Sequence, residues 1–230
     1  LLFGGSGGLH ISPVEMATSP FLFDILTWEL SNLPDKWVHK LNRLLPWSSS
    51  TREERIEETL RFFEVGEEIR DLEHQLTAEP ATNAPANLKK LRKERSSLKA
   101  GVEETLESEL GSILSHEGLP SWTGFIFPPV DVALVGPPRV LVISPRDKIE
   151  RMKTILLKPD MDVEDMETLE DKLFREENLS ALVEDLGGVA TYPTIVRADL
   201  SLRGAAVTAA HEWLHTYWFF RPLGWNIFSS

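Results

Sequence analysis

Residues 51–116 carry the pattern that most narrows the folds open to this chain: two long charged runs with apolar residues at helical spacing. Thr51 and Glu54 match a capping box, in which two side chains satisfy backbone N–H groups at a helix start. A polar, proline-containing loop over residues 78–85 separates the runs. The pattern predicts an antiparallel helical hairpin with a coiled-coil-like seam. The seam positions are Ile56, Leu60, Phe63, Val65, Ile69, Leu72 and Leu76 in the first run and Leu88, Leu91, Leu98, Val102, Leu106, Leu110 and Ile113 in the second.

Most other positions of the predicted hairpin are Glu, Lys or Arg. Such a charge pattern is typical of a solvated helix face. It is also compatible with an arm that docks a protein partner, so both interpretations stay open at this point.

Composition shifts near residues 51 and 118 predict three segments. The first, residues 1–50, is rich in tryptophan; the second, residues 51–117, is the hairpin. The third, residues 118–230, has short apolar runs broken by prolines and is expected to form an α+β core. The tryptophans of the first segment cover a core or lie at a membrane interface, and they are Trp28, Trp37 and Trp47.

Two apolar runs of the third segment, residues 139–143 and 189–196, predict strands of one small sheet. Pro193 lacks a backbone N–H and cannot donate to a strand ladder, which favours an edge position for the second strand. Helices are expected over residues 149–157 and over Met161–Leu186. Gly187 and Gly188 then follow the second helix as C-cap glycines would.

The last predicted helix starts near Asp199 or Ser201 and ends before Pro222. It is apolar on nearly all sides, which predicts that it is buried. The expected fold class is therefore α+β, mainly helical, with the small sheet packed on this helix and the helical hairpin upstream.

The last predicted helix contains His211, Glu212 and His215 in an H-E-x-x-H arrangement. Residues four apart on a helix share one face, so both imidazoles can reach one metal ion and Glu212 projects beside them. Two neutral nitrogen donors with a neighbouring carboxylate suit a zinc-dependent hydrolase. The alternative is a helix with two surface or core histidines and an exposed Glu.

Composition excludes several function classes. A net charge of −12 argues against a nucleic-acid partner, because phosphate binding needs clustered Lys and Arg. The chain has no cysteine, so any metal must be held by His and carboxylates.

No stretch has the length and polarity of a transmembrane helix. The Leu1 start and the aromatic-rich ends lead us to expect the soluble region of a longer, membrane-anchored protein.

Residues 139–220, with a strand followed by an H-E-x-x-H helix, resemble the zincin metallopeptidases. The resemblance implies a zinc metalloendopeptidase in which His211 and His215 bind Zn²⁺ and Glu212 activates the zinc-bound water. It also implies an edge strand that aligns a peptide or protein substrate by β-augmentation. The substrate-binding residues would be Thr191, Tyr192 and Thr194, with Tyr192 also a candidate to stabilise the oxyanion.

The motif together with the run Phe219–Gly224 also looks like an uncharacterised group of bacterial, membrane-associated metalloproteases. The chain departs from the metzincin pattern, because Trp218 and Arg221 stand where that pattern has Gly and the third His ligand. In the gluzincin pattern the third ligand is a Glu on a later helix, and no Glu follows Glu212. We expect that ligand beyond Ser230. An upstream ligand, or an incomplete site in a chain that is metal-free as given, remains open.

A function of another class also fits the sequence. The chain would then be a non-enzymatic interaction protein that binds a partner through the charged hairpin, with a vestigial His pair. Zinc binding distinguishes the two functions.

Overall fold

The computed structural model describes residues 12–31, 51–78, 84–119, 121–122, 125–148 and 150–221. These residues form a mainly helical α+β fold, which confirms the predicted fold class. A short 3-10 helix follows the first α-helix over Ser19–Phe21. The α-helices are α1 (Pro13–Thr18), α2 (residues 25–31), α3 (Arg52–Ala78), α4 (Ala84–His116), α5 (Val163–Glu176) and α6 (Leu202–Phe219).

The described strands form three sheets. The strands are β1 (Ser121–Trp122), β2 (Phe125–Ile126), β3 (Val132–Val135), β4 (Arg139–Pro145), β5 (Lys153–Leu157), β6 (Leu179–Asp185), β7 (Gly188–Val189) and β8 (Thr194–Arg197). β1 pairs with β2 in an antiparallel ribbon, while the orders β5-β4-β6 and β3-β8-β7 define two three-stranded sheets.

The described residues fall into two compact units. One contains the segment that ends at Asp24 together with Pro138–Leu186, and the other contains Ile25–Pro137 together with the chain from Gly187 onward. These units cut across the three consecutive segments expected from composition. The hairpin belongs to the same unit as α6, because long-range packing joins segments that are far apart in sequence.

Helices α3 and α4 form the predicted hairpin. The capping box is present, since the Thr51 backbone N donates to Glu54 at 2.8 Å and the Glu54 backbone N donates to Thr51 Oγ1 at 3.2 Å. Phe62, Val65 and Val102 are almost fully buried in the seam. Ion pairs at 2.7–3.0 Å also join the two helices, and they are Arg52–Glu109, Arg61–Glu94 and Arg92–Glu73.

The unit that contains Pro138–Leu186 is built on an antiparallel sheet with β4 in its centre. Leu169 and Leu173 of α5 pack against buried residues of β4 and β5. The prediction of one sheet that joins residues 139–143 to residues 189–196 was therefore wrong, since β4 pairs with β5 and β6 in a separate sheet.

Two helix predictions in the same unit were also wrong. Residues 149–157 contain β5, and Met161–Leu186 contains both α5 and β6. The helix ends at Glu176, and Asn178 then adopts a positive φ of 56° that breaks it. The leucines of β6 have a spacing that also fits a helix. In the structure, the side chains along β6 alternate between more and less exposed, as expected for a strand.

The second unit contains the mixed sheet β3-β8-β7, in which β3 and β8 are parallel and β7 and β8 antiparallel. The predicted strand 189–196 is two strands separated by residues 190–193. β8 lies in the centre of its sheet, so the predicted edge position was wrong. Pro193 precedes β8, where a missing N–H costs no ladder bond. Gly188 begins β7 and does not cap a helix.

The outer edge of β3 is covered by carboxylates of α4. The backbone N of Leu134 donates to Glu103 at 2.7 Å, and that of Val132 donates to Glu107 at 3.0 Å. These bonds satisfy strand N–H groups that would otherwise be left without a partner strand. The hairpin is thereby fixed to the sheet on which α6 also packs.

Within the ranges that the structure describes, no helix is both long and apolar enough to cross a membrane. Membrane anchoring stays a prediction. Of the three tryptophans of the first segment, Trp28 lies in α2, and Trp37 and Trp47 lie outside the described residues.

Trp213 fastens α6 to the core, and we expect its replacement to destabilise the protein. The ring is 1% exposed, stacks on Tyr217 at 5.1 Å, and its Nε1 donates to the Pro128 carbonyl at 3.0 Å. Trp213→Phe removes that bond and leaves a buried carbonyl unsatisfied, which should lower the free energy of unfolding by about 1–3 kcal/mol.

Urea denaturation measures this loss. Trp218→Phe is the matched control, because Trp218 lies on the same helix but is 51% exposed; its effect should stay within about 0.5 kcal/mol. Equal effects of the two substitutions would contradict the anchoring role of Trp213.

Candidate functional site

Helix α6 begins and ends where the sequence predicts. Ser201 is the N-cap, with its Oγ accepting from the Gly204 backbone N at 3.2 Å, and the helix ends at Phe219. Its buried residues lie four apart on one face, and they are Ala205, Ala209, Trp213 and Tyr217. The expectation that the helix is buried on all sides was wrong, because Val207, His211, His215 and Trp218 are exposed. The sequence pattern predicted too much burial because apolar residues also occupy the solvent-exposed face of α6.

The two histidines of the motif lie side by side on the exposed face of α6. Their Nε2 atoms are 3.2 Å apart, and the ring planes meet at 81° with centroids 4.8 Å apart. Two nitrogen ligands of one tetrahedral zinc ion, each about 2.0–2.1 Å from it, lie roughly 3.3–3.4 Å apart. The pair therefore has a separation that suits shared coordination. The same distance also suits a hydrogen bond in which one neutral ring donates and the other accepts.

Glu212 is half-buried and lies against β7. A Cβ built on Gly188 would come within 3.0 Å of the Glu212 Cγ, 2.7 Å of the Thr208 Cγ2 and 2.8 Å of the Ile195 carbonyl oxygen. Only a residue without a side chain leaves room for this approach. Gly188 thus sets how closely Glu212 lies over the sheet.

A cavity of about 730 Å³ lies beside His215. Thr191 and Tyr192 line it, as do Phe127, Phe219 and Glu29. The Tyr192 backbone N donates to Glu29 Oε1 at 3.1 Å, and Thr191 Oγ1 donates to the Pro193 carbonyl at 2.7 Å. Two of the three predicted substrate-binding residues therefore line the same cavity as His215.

Thr194 is placed elsewhere. It is 2% exposed, its backbone N donates to the Asp131 carbonyl at 2.8 Å, and it pairs with Val132 of β3. β8 has β3 on one side and β7 on the other. Among the described strands, β7 pairs with Ile195 and Val196 of β8 and not with Thr194, and Thr194 is not among the residues that line the cavity beside His215. The predicted β-augmentation along Thr194 stays a prediction.

Sequence reasoning missed Glu29, Gly188 and Phe127 as neighbours of the motif. Glu29 is 163 positions from the residue that it contacts, and no local pattern reveals such a contact. Gly188 could have been noticed, because two adjacent glycines are a distinctive pattern, but the pattern was interpreted as a helix C-cap. In the structure a glycine is needed at position 188 because side chains of α6 approach its backbone closely.

A third metal ligand is not found within the described residues. No group of three or more His, Cys, Asp or Glu side chains in them is arranged to hold a metal ion. The described part of the candidate site therefore consists of two nitrogen donors and a neighbouring carboxylate. Catalytic zinc sites normally have three protein ligands.

Comparison with protein-family models, with curated proteins and with solved structures finds no match for this chain. The resemblance to the zincins thus rests on the motif and on the order of elements.

We expect Gly188→Ala to destabilise the protein, because the added methyl meets both a side chain of α6 and the backbone of β8. Overpacking of this kind typically costs about 1–3 kcal/mol. The free energy of unfolding in urea is the measurement.

Gly187→Ala is the control, since its Cβ would meet only Thr208 Oγ1, at 3.9 Å. We expect it to leave stability nearly unchanged. If Gly188→Ala proved as stable as Gly187→Ala, the close approach of Glu212 to β7 would be refuted.

Proposed function

We propose that this protein is a zinc-dependent peptidase in which His211 and His215 hold the ion and Glu212 is the general base. The observation that carries the proposal is the 3.2 Å separation of the two Nε2 atoms on one helix face. Glu212 lies one position from His211, and a cavity opens beside His215. The two metal ligands and the base are thus neighbours on α6, and the cavity proposed for the substrate adjoins the same helix.

The donor set supports zinc over harder metals. Imidazole nitrogens suit Zn²⁺, whereas Mg²⁺ and Ca²⁺ prefer oxygen ligands. A bound zinc ion would act as a Lewis acid toward a carbonyl oxygen and lower the pKa of a nearby water molecule. In this proposal the third protein ligand comes from outside the described residues.

Glu212 is suited to proton transfer by its position. Its Cγ lies close to Gly188, which restricts the side chain, and a restricted carboxylate is a more effective base than a freely rotating one. In the proposed reaction it takes a proton from the water molecule that attacks the peptide carbonyl. The same carboxylic acid then donates that proton to the leaving amine.

The cavity beside His215 would hold part of the substrate. Phe127, Phe219 and Phe220 line it together with Thr191 and Tyr192, so its wall is largely aromatic with a few polar groups. Such a wall favours a peptide that carries an apolar side chain. The Tyr192 hydroxyl is the candidate donor to the oxyanion.

The alternative, an interaction protein that uses the hairpin, stays a prediction. Ion pairs such as Arg61–Glu94 join α3 to α4, so part of the hairpin charge is used within the hairpin. Zinc binding separates this alternative from the peptidase.

The first test of the peptidase is zinc binding. Calorimetric titration of the metal-free protein with zinc chloride, carried out on the full-length chain so that a ligand beyond Ser230 would be present, should show a saturable site, because the two imidazole nitrogens already have a spacing that suits shared coordination. His211→Ala and His215→Ala should each abolish it. His74→Ala is the control, because His74 is an exposed histidine of α3 and should leave binding unchanged. Zinc binding that survives both motif substitutions would contradict the assignment.

The second test concerns Glu212→Gln, which keeps size and removes the base. Zinc affinity should be unchanged, whereas hydrolysis of a casein or fluorogenic peptide substrate should fall by about 10²–10⁴-fold. Glu176→Gln, an exposed position of α5, is the control and should keep full activity. Full activity of zinc-loaded Glu212→Gln protein would overturn the role of Glu212.

A further inference from the structure

A second cavity, of about 380 Å³, lies between the hairpin and the turn that precedes α6. Four cationic side chains line it: Arg70, Arg92, Arg95 and Lys99. Only two acidic residues, Glu73 and Asp199, are among its lining. Such a concentration of positive charge is unexpected in a chain with a net charge of −12.

Arg95 is the innermost of these cations. Its guanidinium lies 4.6 Å from the centre of the Phe62 ring and donates to the Ala198 carbonyl. Its Nε is buried and has no hydrogen-bond partner among the described residues. Burial, and next the nearby charge of Arg70, lower the pKa of Arg95, while Asp199 and Glu73 act in the opposite direction. A buried guanidinium N–H without a partner is costly, and a negative charge near the guanidinium would offset part of that cost.

The two acidic residues of the cavity are already paired. Glu73 accepts from Arg92 at 2.7 Å, and Asp199 binds Arg197 through both oxygens at 2.6 and 2.8 Å. The pKa of Asp199 is lowered chiefly by that hydrogen bond to Arg197. Each of these carboxylates is therefore hydrogen-bonded to an arginine other than Arg95, although both still act on the pKa of Arg95 from a longer distance.

The nearest acids to the other two cations are beyond hydrogen-bond distance. Arg70 lies 3.8 Å from Glu67, and Lys99 lies 3.7 Å from Glu103. Arg70 donates to the backbone carbonyl of Asp199 at 2.6 Å, and its charge also helps to lower the pKa of the Asp199 carboxyl. Arg70, Arg95 and Lys99 thus bring three positive charges to one cavity, and within the described ranges none of them has a carboxylate at hydrogen-bond distance, although Arg70 and Lys99 each have an acid within 4 Å.

We propose that this cavity binds a small organic anion, a phosphate monoester with an apolar or aromatic group. Guanidinium groups match the planar pairs of phosphate oxygens, and Lys99 adds a point charge. Phe62, Ile69 and Leu134 provide an apolar wall for the rest of the ligand. The volume exceeds that of phosphate alone and lies within the range of ligand pockets, which begins at about 300 Å³.

Phenyl phosphate and inorganic phosphate are the probes, titrated calorimetrically into the 230-residue chain at constant ionic strength set with chloride. Both should bind saturably, and phenyl phosphate more tightly because of the apolar wall. Lys99→Gln should weaken binding about tenfold, since a charge-assisted hydrogen bond is lost. Lys90→Gln removes an equal charge from an exposed position of α4 outside the cavity and should change nothing.

A substitution without charge change tests the geometry. The Cβ of Gly66→Ala would lie 3.2 Å from an Arg95 terminal nitrogen, so the guanidinium must shift and binding should weaken severalfold. Gly111→Ala is the helical control, because its Cβ meets nothing within 4 Å. Circular dichroism and urea denaturation establish that each variant is folded.

Three results would overturn the proposal: no saturable binding of either probe, equal weakening by Lys99→Gln and Lys90→Gln, or unchanged affinity in folded Lys99→Gln protein. The second would show that phosphate responds only to overall charge. None of these results depends on zinc or on peptidase activity.

Discussion

The bonds between α4 carboxylates and the β3 backbone determine how the unit that contains α6 is built. Glu103 is 9% exposed and accepts from the Leu134 backbone N, and Glu107 accepts from that of Val132. Because these bonds replace a missing strand, a long charged helix can lie directly along the edge of a small sheet. A charged residue this deep is stable only with such partners. The hairpin is therefore part of the core and cannot be regarded as an appended arm.

That arrangement also determines which face of α6 is available. Ala205, Ala209, Trp213 and Tyr217 pack into the core that α4, β3 and β8 share. The small alanines let the helix approach closely, and Trp213 fills the space beyond them. His211 and His215 then lie on an exposed face. Burial therefore does not require a partner for the two imidazoles, and the feature that favours a metal is the distance between their nitrogens.

Sequence reasoning succeeded where structure is locally determined. Capping residues and helical spacing were enough to predict α3, α4 and α6, because each helix forms its hydrogen bonds within its own segment. It failed for β6, where leucines at positions 179, 182 and 186 fit a helical repeat. The pairing that decides for a strand is with β4, about forty residues away, and no local pattern contains it.

The candidate site was also predicted only where its geometry is set by local structure. His211, Glu212 and His215 are close because one helix carries all three, so spacing alone was sufficient. Glu29 reaches the cavity beside His215 only through tertiary packing, whereas Thr194 is buried beside β3 and is not among the cavity's lining residues. The basic cavity could not be predicted from the sequence either, because Arg70 and Arg95 there look like ordinary charged residues of a solvated helix face.

The two proposed sites are connected by the start of α6, but they are not thereby coupled. Arg70 and Arg95 donate to the carbonyls of Asp199 and Ala198, just before the N-cap Ser201. An anion in the basic cavity would order this turn and so strengthen the start of the helix.

His211 lies ten residues beyond Ser201, about 15 Å along the axis of α6. Coupling over that distance requires an element with two alternative arrangements. A helix packed through Ala205, Ala209 and Trp213 offers none. Anion binding should therefore raise stability while leaving the separation of the two histidines, and with it zinc affinity, unchanged.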